Sequence, residues 1–154
     1  MIGALAFIVV YLLGRSRPDT CVNGLFFIIA GLVLRGWAAG YIGSDARARF
    51  ISASRIVRSG PYRFFPHPLY LGNLLIVSGM LISLQPVVWL AFAVLIGFLI
   101  EYGLIAQAET TFLRESGLAI EQPGFNWRLA LNERHTWLVT GITYLLILVR
   151  ALVL

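Results

Sequence analysis

"PLYLGNLLIVSGMLISLQPVVWLAFAVLIGFLIEYGLIAQA", residues 68 to 108, holds two apolar runs, 68 to 84 and 86 to 108, with only the uncharged Leu84-Gln85-Pro86 between them. Runs of about 20 apolar residues match the thickness of a bilayer's hydrocarbon core. A connector this short and uncharged makes the pair a tight helical hairpin, and both of its outer ends return to the same membrane surface.

Working outward, a hydropathy reading finds three more apolar segments, at 1 to 13, about 22 to 42, and 136 to 154. Of the 154 residues 59% are apolar and the mean hydropathy is +0.85, above the ~45–50% apolar content of soluble domains. The expected fold is an all-α polytopic membrane bundle of about five transmembrane helices, one domain over residues 1 to 154. A 13-residue helix reaches only ~20 Å, so the first segment is expected to be tilted at an edge, truncated, or extended by residues 14 to 17. It starts without a basic n-region and no cleavage pattern follows, so it does not read as a removed signal peptide.

All twelve basic residues are arginine and seven residues are acidic, a net charge of +5. Arginine suits carboxylate and phosphate binding; a cytoplasmic-face marker is the plainer role. With no soluble basic surface, nucleic-acid binding is excluded. Residues 43 to 66 carry Arg47, Arg49, Arg55, Arg58 and Arg63, and residues 109 to 135 carry Arg114, Arg128 and Arg134, against Arg15 and Arg17 on the other side. By the positive-inside rule the first two segments face the cytoplasm. "DARARFISASRIVRSG", residues 45 to 60, reads as an interfacial amphipathic helix, with Phe50, Ile51, Ile56 and Val57 toward lipid.

"GPYRFFPHPLY", residues 60 to 70, interrupts the apolar pattern. Gly60-Pro61 forces a turn that brings Tyr62 and Arg63 to the mouth of the third span. Pro68 fits the first turn of a helix, so His67 falls at the N-cap and the helix's positive end points into that mouth. Tyr70 and Asn73 follow on one face, and Gly72 admits a close neighbour, another backbone or a flat ligand. The hairpin puts Glu109 level with His67, so two halves of a site meet where it opens.

"SGPYRFFPHPLYLGNLL" resembles the G-P-Y-R-x-x-R-H-P-x-Y-x-G signature of the membrane methyltransferases typified by isoprenylcysteine carboxyl methyltransferase and the phospholipid methyltransferases. "AETTFLRESG" is similar to their second half-motif, E-E-x-x-L-x-x-x-F-G. The resemblance covers roughly residues 55 to 117. It implies an S-adenosylmethionine-dependent methyltransferase. Tyr62, His67, Pro68, Tyr70, Leu71, Gly72, Asn73, Glu109 and Leu113 would bind the cofactor, and Arg63, Tyr70 and Glu109 would act in catalysis. The partners implied are membrane lipids and a lipophilic or small apolar methyl acceptor, foremost an isoprenylcysteine-like carboxylate, entering sideways from the bilayer. In-line methyl transfer disperses a positive charge, so alignment and exclusion of water do much of the work.

The chain departs from the signature at Pro66, where the family has Arg, and at Ala108, where it often has Glu. Arg63 or Arg114 is the candidate to replace the missing arginine. Two other readings compete: a noncatalytic relative that binds lipid or a partner protein, and an NADPH-dependent reductase of the sterol type. A cleft plugged by Phe64, Phe65 or Trp127 would favour the former.

Ionisable residues inside spans are costly and often functional. Arg35 and Glu101 each lie eight residues, ~12 Å, from the same interface and are expected to be level, forming either an ion pair between spans two and four or a polar floor of the cleft. His135 reads as an interfacial anchor beside Trp137. Cys21 is a lone thiol with no disulfide partner, and the two histidines have no cysteine or acid spacing around them that suggests a metal site.

Overall fold

The structure, a computed structural model, describes residues 2–42 and 56–153. Helix α1 is Ile2–Leu13, α2 Pro18–Ile42, α3 Pro68–Leu84, α4 Val88–Glu115, α5 Trp127–Ala130 and α6 Arg134–Val153. Two short 3-10 turns, Gly60–Arg63 and Leu131–Glu133, precede α3 and α6. Two-residue strands β1 (Ile56–Val57) and β2 (Ile120–Glu121) pair in parallel, Ile56 with Ile120 and Val57 with Glu121. The architecture is all-α, as the hydropathy pattern requires.

The helix ends follow from local chemistry. Pro18 opens α2, where the missing N–H costs nothing, and the preceding Arg17 amide donates to Thr20 Oγ1. His67 is the N-cap of α3 with Pro68 at its first position. At its far end Gln85 takes a left-handed φ of 43°, and its amide closes on the Leu81 carbonyl. Pro86 then bars continuation, and α4 starts at Val88. The hairpin read from residues 68 to 108 is therefore present. Helices α2, α4 and α6 extend past the apolar runs, because hydropathy marks oil-facing residues while polar residues in the interface stay helical.

Three helical stretches, Pro18–Ile42, Val88–Glu115 and Trp127–Val153, are long and apolar enough to cross a membrane; α3 is shorter at 17 residues. With little hydrophobic drive between helices in lipid, close backbone approach holds α2 to α3. Gly31 faces Gly72 and Gly24 faces Gly79 across an antiparallel seam with seven-residue spacing on each helix. A Cβ on Gly31 would meet the Gly72 carbonyl oxygen at 2.6 Å.

At the α3–α4 connector end, Val10, Cys21, Leu81, Leu84, Ile147 and Ala151 form an apolar core. The Tyr144 hydroxyl donates to the Cys21 carbonyl at 2.6 Å, and Arg150 donates to the Gly14 carbonyl at 2.7 Å. These bonds tie α6 across α1 and α2. Helix α4 stands on the outside, with no buried residue along its length.

Two expectations are corrected. Most of the interfacial helix expected over residues 45 to 60 lies outside the described residues, but Ile56 and Val57 are strand, paired to β2, and Gly60 starts a 3-10 turn. Partnering by the returning chain near residue 120 overrides the local amphipathic pattern. The Arg35–Glu101 pair does not form either. Arg35 is bound to Glu133, through Nε at 3.0 Å and Nη2 at 2.8 Å, both to Oε2, whereas Glu101 faces outward from α4.

Candidate active site

The N-terminus of α3 and the C-terminal part of α4 meet at one end of the bundle. The 3-10 turn at 60–63 leads into them. Gly60 has a φ of +58°, and a Cβ there would run into the Tyr41 ring, so the turn depends on glycine both for its conformation and for the fit against α2. Pro61 is buried in that turn, which aims Tyr62 and Arg63 at the helix mouth.

His67 and Glu109 form the centre. His67 Nδ1 stands 3.3 Å from Glu109 Oε2, and the Tyr70 hydroxyl donates to the same oxygen at 2.8 Å. The other ring nitrogen, Nε2, is 3.3 Å from Thr110 Oγ1, whose own hydrogen goes to the Ala106 carbonyl. The Tyr70 ring stacks on the His67 ring with centroids 5.3 Å apart. Both bonds to Glu109 converge on Oε2, so Oε1 is not used by them.

Above this cluster opens a cavity of about 1160 Å³. Tyr62, Arg63, His67, Glu109 and Leu113 line it, with Thr110, Arg114 and Arg58. Its far wall is the segment after α4: Gly117, Leu118, Ile120 and Gln122. That segment is held by the β1–β2 pairing, by a Ser59 hydroxyl donating to the Pro123 carbonyl, and by the Asn126 amide donating to Gly40 at the end of α2. The segment after the second half-motif is thus part of the enclosure. Phe64 and Phe65 are exposed residues of the cavity wall, and Trp127 is an exposed residue outside its lining, so none of the three buries itself as a plug.

Tyr62 carries an orphan polar atom at this end of the described structure. Its hydroxyl is buried and has no hydrogen-bond partner. Burial first, and then the nearby Glu109 carboxylate, pushes the phenol well above its ordinary range, so it is a neutral donor.

Not every residue singled out from the sequence faces the cavity. Tyr70 lies behind Glu109 and acts on it; Pro68 is buried in the first turn of α3; Leu71 is half-buried and outside the cavity lining. Gly72 faces α2, where a Cβ would meet Arg35 Cγ at 2.6 Å, so of the two neighbours left open for it the structure selects a helix. Asn73 lies deeper, accepting from Arg35 Nη1 and donating to the Tyr102 hydroxyl at 2.9 Å. Sequence reasoning missed Thr110 as the second partner of His67, although its place beside Glu109 on α4 was a usable signal. It also missed Tyr102, two turns before Glu109 on the same face of α4, and Glu133, which no local pattern marks.

No curated protein and no solved structure matches the chain. Residues 20–116, from the first turns of α2 to the end of α4 and so including both halves of the His67–Glu109 pair, match the family model described as phospholipid methyltransferase, and the chain belongs to that membrane methyltransferase family.

Proposed function

We propose that the chain transfers a methyl group from S-adenosylmethionine to a lipophilic acceptor at the cytoplasmic membrane surface. The observation that carries this is the His67–Glu109–Tyr70 cluster, with His67 and Glu109 set in the wall of one large cavity. The donor set fits the cofactor. Glu109 Oε1 suits its ammonium or ribose hydroxyls, and Arg63 or Arg114 suits its carboxylate. When bound, the cofactor supplies an electrophilic methyl on a sulfonium. Leu113 and the apolar wall exclude water, while Tyr70 and His67 hold Glu109 in place.

The cavity exceeds the ~300–1,000 Å³ of ordinary ligand pockets, which leaves space for an acceptor beside the cofactor. Arg58, Arg63 and Arg114 outnumber the single lining carboxylate, Glu109. An anionic acceptor, a carboxylate on an isoprenylcysteine-like lipid, is favoured by that balance and needs no base to unmask its nucleophile. A phospholipid amine is the second reading, favoured by the family match.

The test is calorimetric binding of S-adenosylmethionine to detergent-purified protein, followed by transfer of a labelled methyl to membrane lipid extract. Saturable binding, lost in His67→Ala and Glu109→Ala, is expected. Base-labile label released as methanol identifies an ester and hence a carboxylate acceptor; base-stable label identifies the amine. A folded wild type that binds no cofactor would overturn the reading.

A further inference from the structure

We infer that the Arg35–Glu133 ion pair, with Asn73 and Tyr102, is a positioning network that sets the geometry of the His67–Glu109–Tyr70 cluster, and that its counter-charge comes from outside the family-matched stretch. The inference rests on the functional reading above and adds Arg35, Tyr102 and Glu133, which the motifs do not contain.

Arg35 is buried two turns before the end of α2, and Glu133 is fully buried in the turn before α6. A buried ion pair is a poor source of stability, because desolvation offsets most of the attraction and apolar side chains of similar volume do as well. Its retention asks for another role, and the hydrogen bonds supply one. Two guanidinium nitrogens go to Glu133 Oε2, which fixes the plane of the fork. The third, Nη1, donates to Asn73 Oδ1.

The Asn73 oxygen accepts from Arg35, and its NH₂ group donates to the Tyr102 hydroxyl at 2.9 Å. The Tyr102 ring, stacked on Phe98 at 4.1 Å, presents edge to face against Tyr70, with centroids 5.0 Å apart and planes at 68°. Tyr70 in turn donates to Glu109. The chain of contacts thus runs from Arg35 through Asn73 and Tyr102 to the ring of Tyr70, whose hydroxyl holds Glu109.

The location fits the task. Helix α4 has no buried residue, so packing alone holds it weakly, yet it carries Glu109. Tyr102 lies seven residues before Glu109, two turns away on the same face. The network therefore clamps α4 to α3 at the level just below the site. Glu133 lies beyond residues 20–116, so this chain recruits its C-terminal turn to complete the clamp.

The experiment compares Tyr102→Phe, Glu133→Gln and the control Tyr144→Phe in the full chain. Tyr144→Phe removes a hydroxyl bonded to the Cys21 carbonyl at the opposite end. Two readouts are taken: the dissociation constant for S-adenosylmethionine by calorimetry, and the proton resonance of the His67 ring, which stacks on Tyr70. The chain has two histidines, so His135→Asn assigns it. Tyr102→Phe and Glu133→Gln are expected to weaken binding about fivefold and to shift the His67 resonance, while Tyr144→Phe leaves both unchanged. Wild-type affinity with an unmoved resonance in Tyr102→Phe would overturn the inference. If wild type binds no cofactor, the functional reading falls, and the His67 resonance alone decides the network: a shift in Tyr102→Phe upholds it, and no shift refutes it.

Discussion

At Gly72 an added Cβ would stand 2.6 Å from Arg35 Cγ and 3.0 Å from the Gly31 carbonyl oxygen. Neither neighbour is the free tip of a flexible side chain. Gly72→Ala therefore forces α2 and α3 apart, or displaces Arg35 from Glu133 and Asn73, at a cost of about 1–3 kcal/mol. Thermal unfolding in detergent reads that loss. Because Gly72 faces α2 and not the cavity, cofactor affinity in the folded fraction should fall no further than it does in Tyr102→Phe; complete loss of binding would put the glycine back in the ligand site. The same scale shows what the sequence could carry. His67, Tyr62, Arg63 and Glu109 were legible because turn chemistry, helix capping and a short hairpin are local and bring them to one mouth. Gly72 was legible as a close-approach position but not as to which neighbour approaches, since Arg35 is 37 residues away and its stem leaves no mark near the motif.

Among the elements, the decisive contrast is between depth and direction. Counting 1.5 Å per residue placed Arg35 and Glu101 at one level, but level does not fix which way a side chain points. At about 100° per residue, Glu101 is turned some 80° from the Glu109 face, whereas Tyr102 is within about 20° of it. Thus Tyr102 enters the network and Glu101 faces outward. Glu133 was illegible for another reason: in "LNERHTW" it reads as an interfacial charge, and only the docking of α5 and the following 3-10 turn against α2 buries it. Removing one partner of a buried pair leaves an uncompensated charge, so Glu133→Ala should lower stability by about 3–5 kcal/mol. Arg35→Met combined with Glu133→Leu should recover most of that loss while cofactor affinity stays reduced. Unfolding and binding measured on the same samples separate the two effects; recovery of both together would mean that the pair serves stability alone.

For the whole molecule the question is which end faces the cytoplasm. Antiparallel alternation puts the end of α2, the start of α3, the end of α4 and the start of α6 at the cavity end of the bundle, and the Gln85–Val87 connector at the other end. The site end carries Arg58, Arg63, Arg114, Arg128 and Arg134, and the sequence between α2 and β1 adds Arg47, Arg49 and Arg55; the connector end has Arg15, Arg17 and Arg150. Basic residues near span ends govern orientation, and acidic residues contribute little, so the cavity is expected on the cytoplasmic side, where the soluble cofactor is. Cys21 is buried in the apolar core, so a Cys21→Ala background leaves the fold's charge pattern untouched and lets single cysteines report sidedness. In intact cells a membrane-impermeant maleimide should label Val87→Cys, on the connector, and reach Ser116→Cys, after α4, only once the membrane is opened. Labelling of Ser116→Cys from outside would reverse the orientation, separate the cavity from the cytosolic cofactor, and count against the methyltransferase reading at its root.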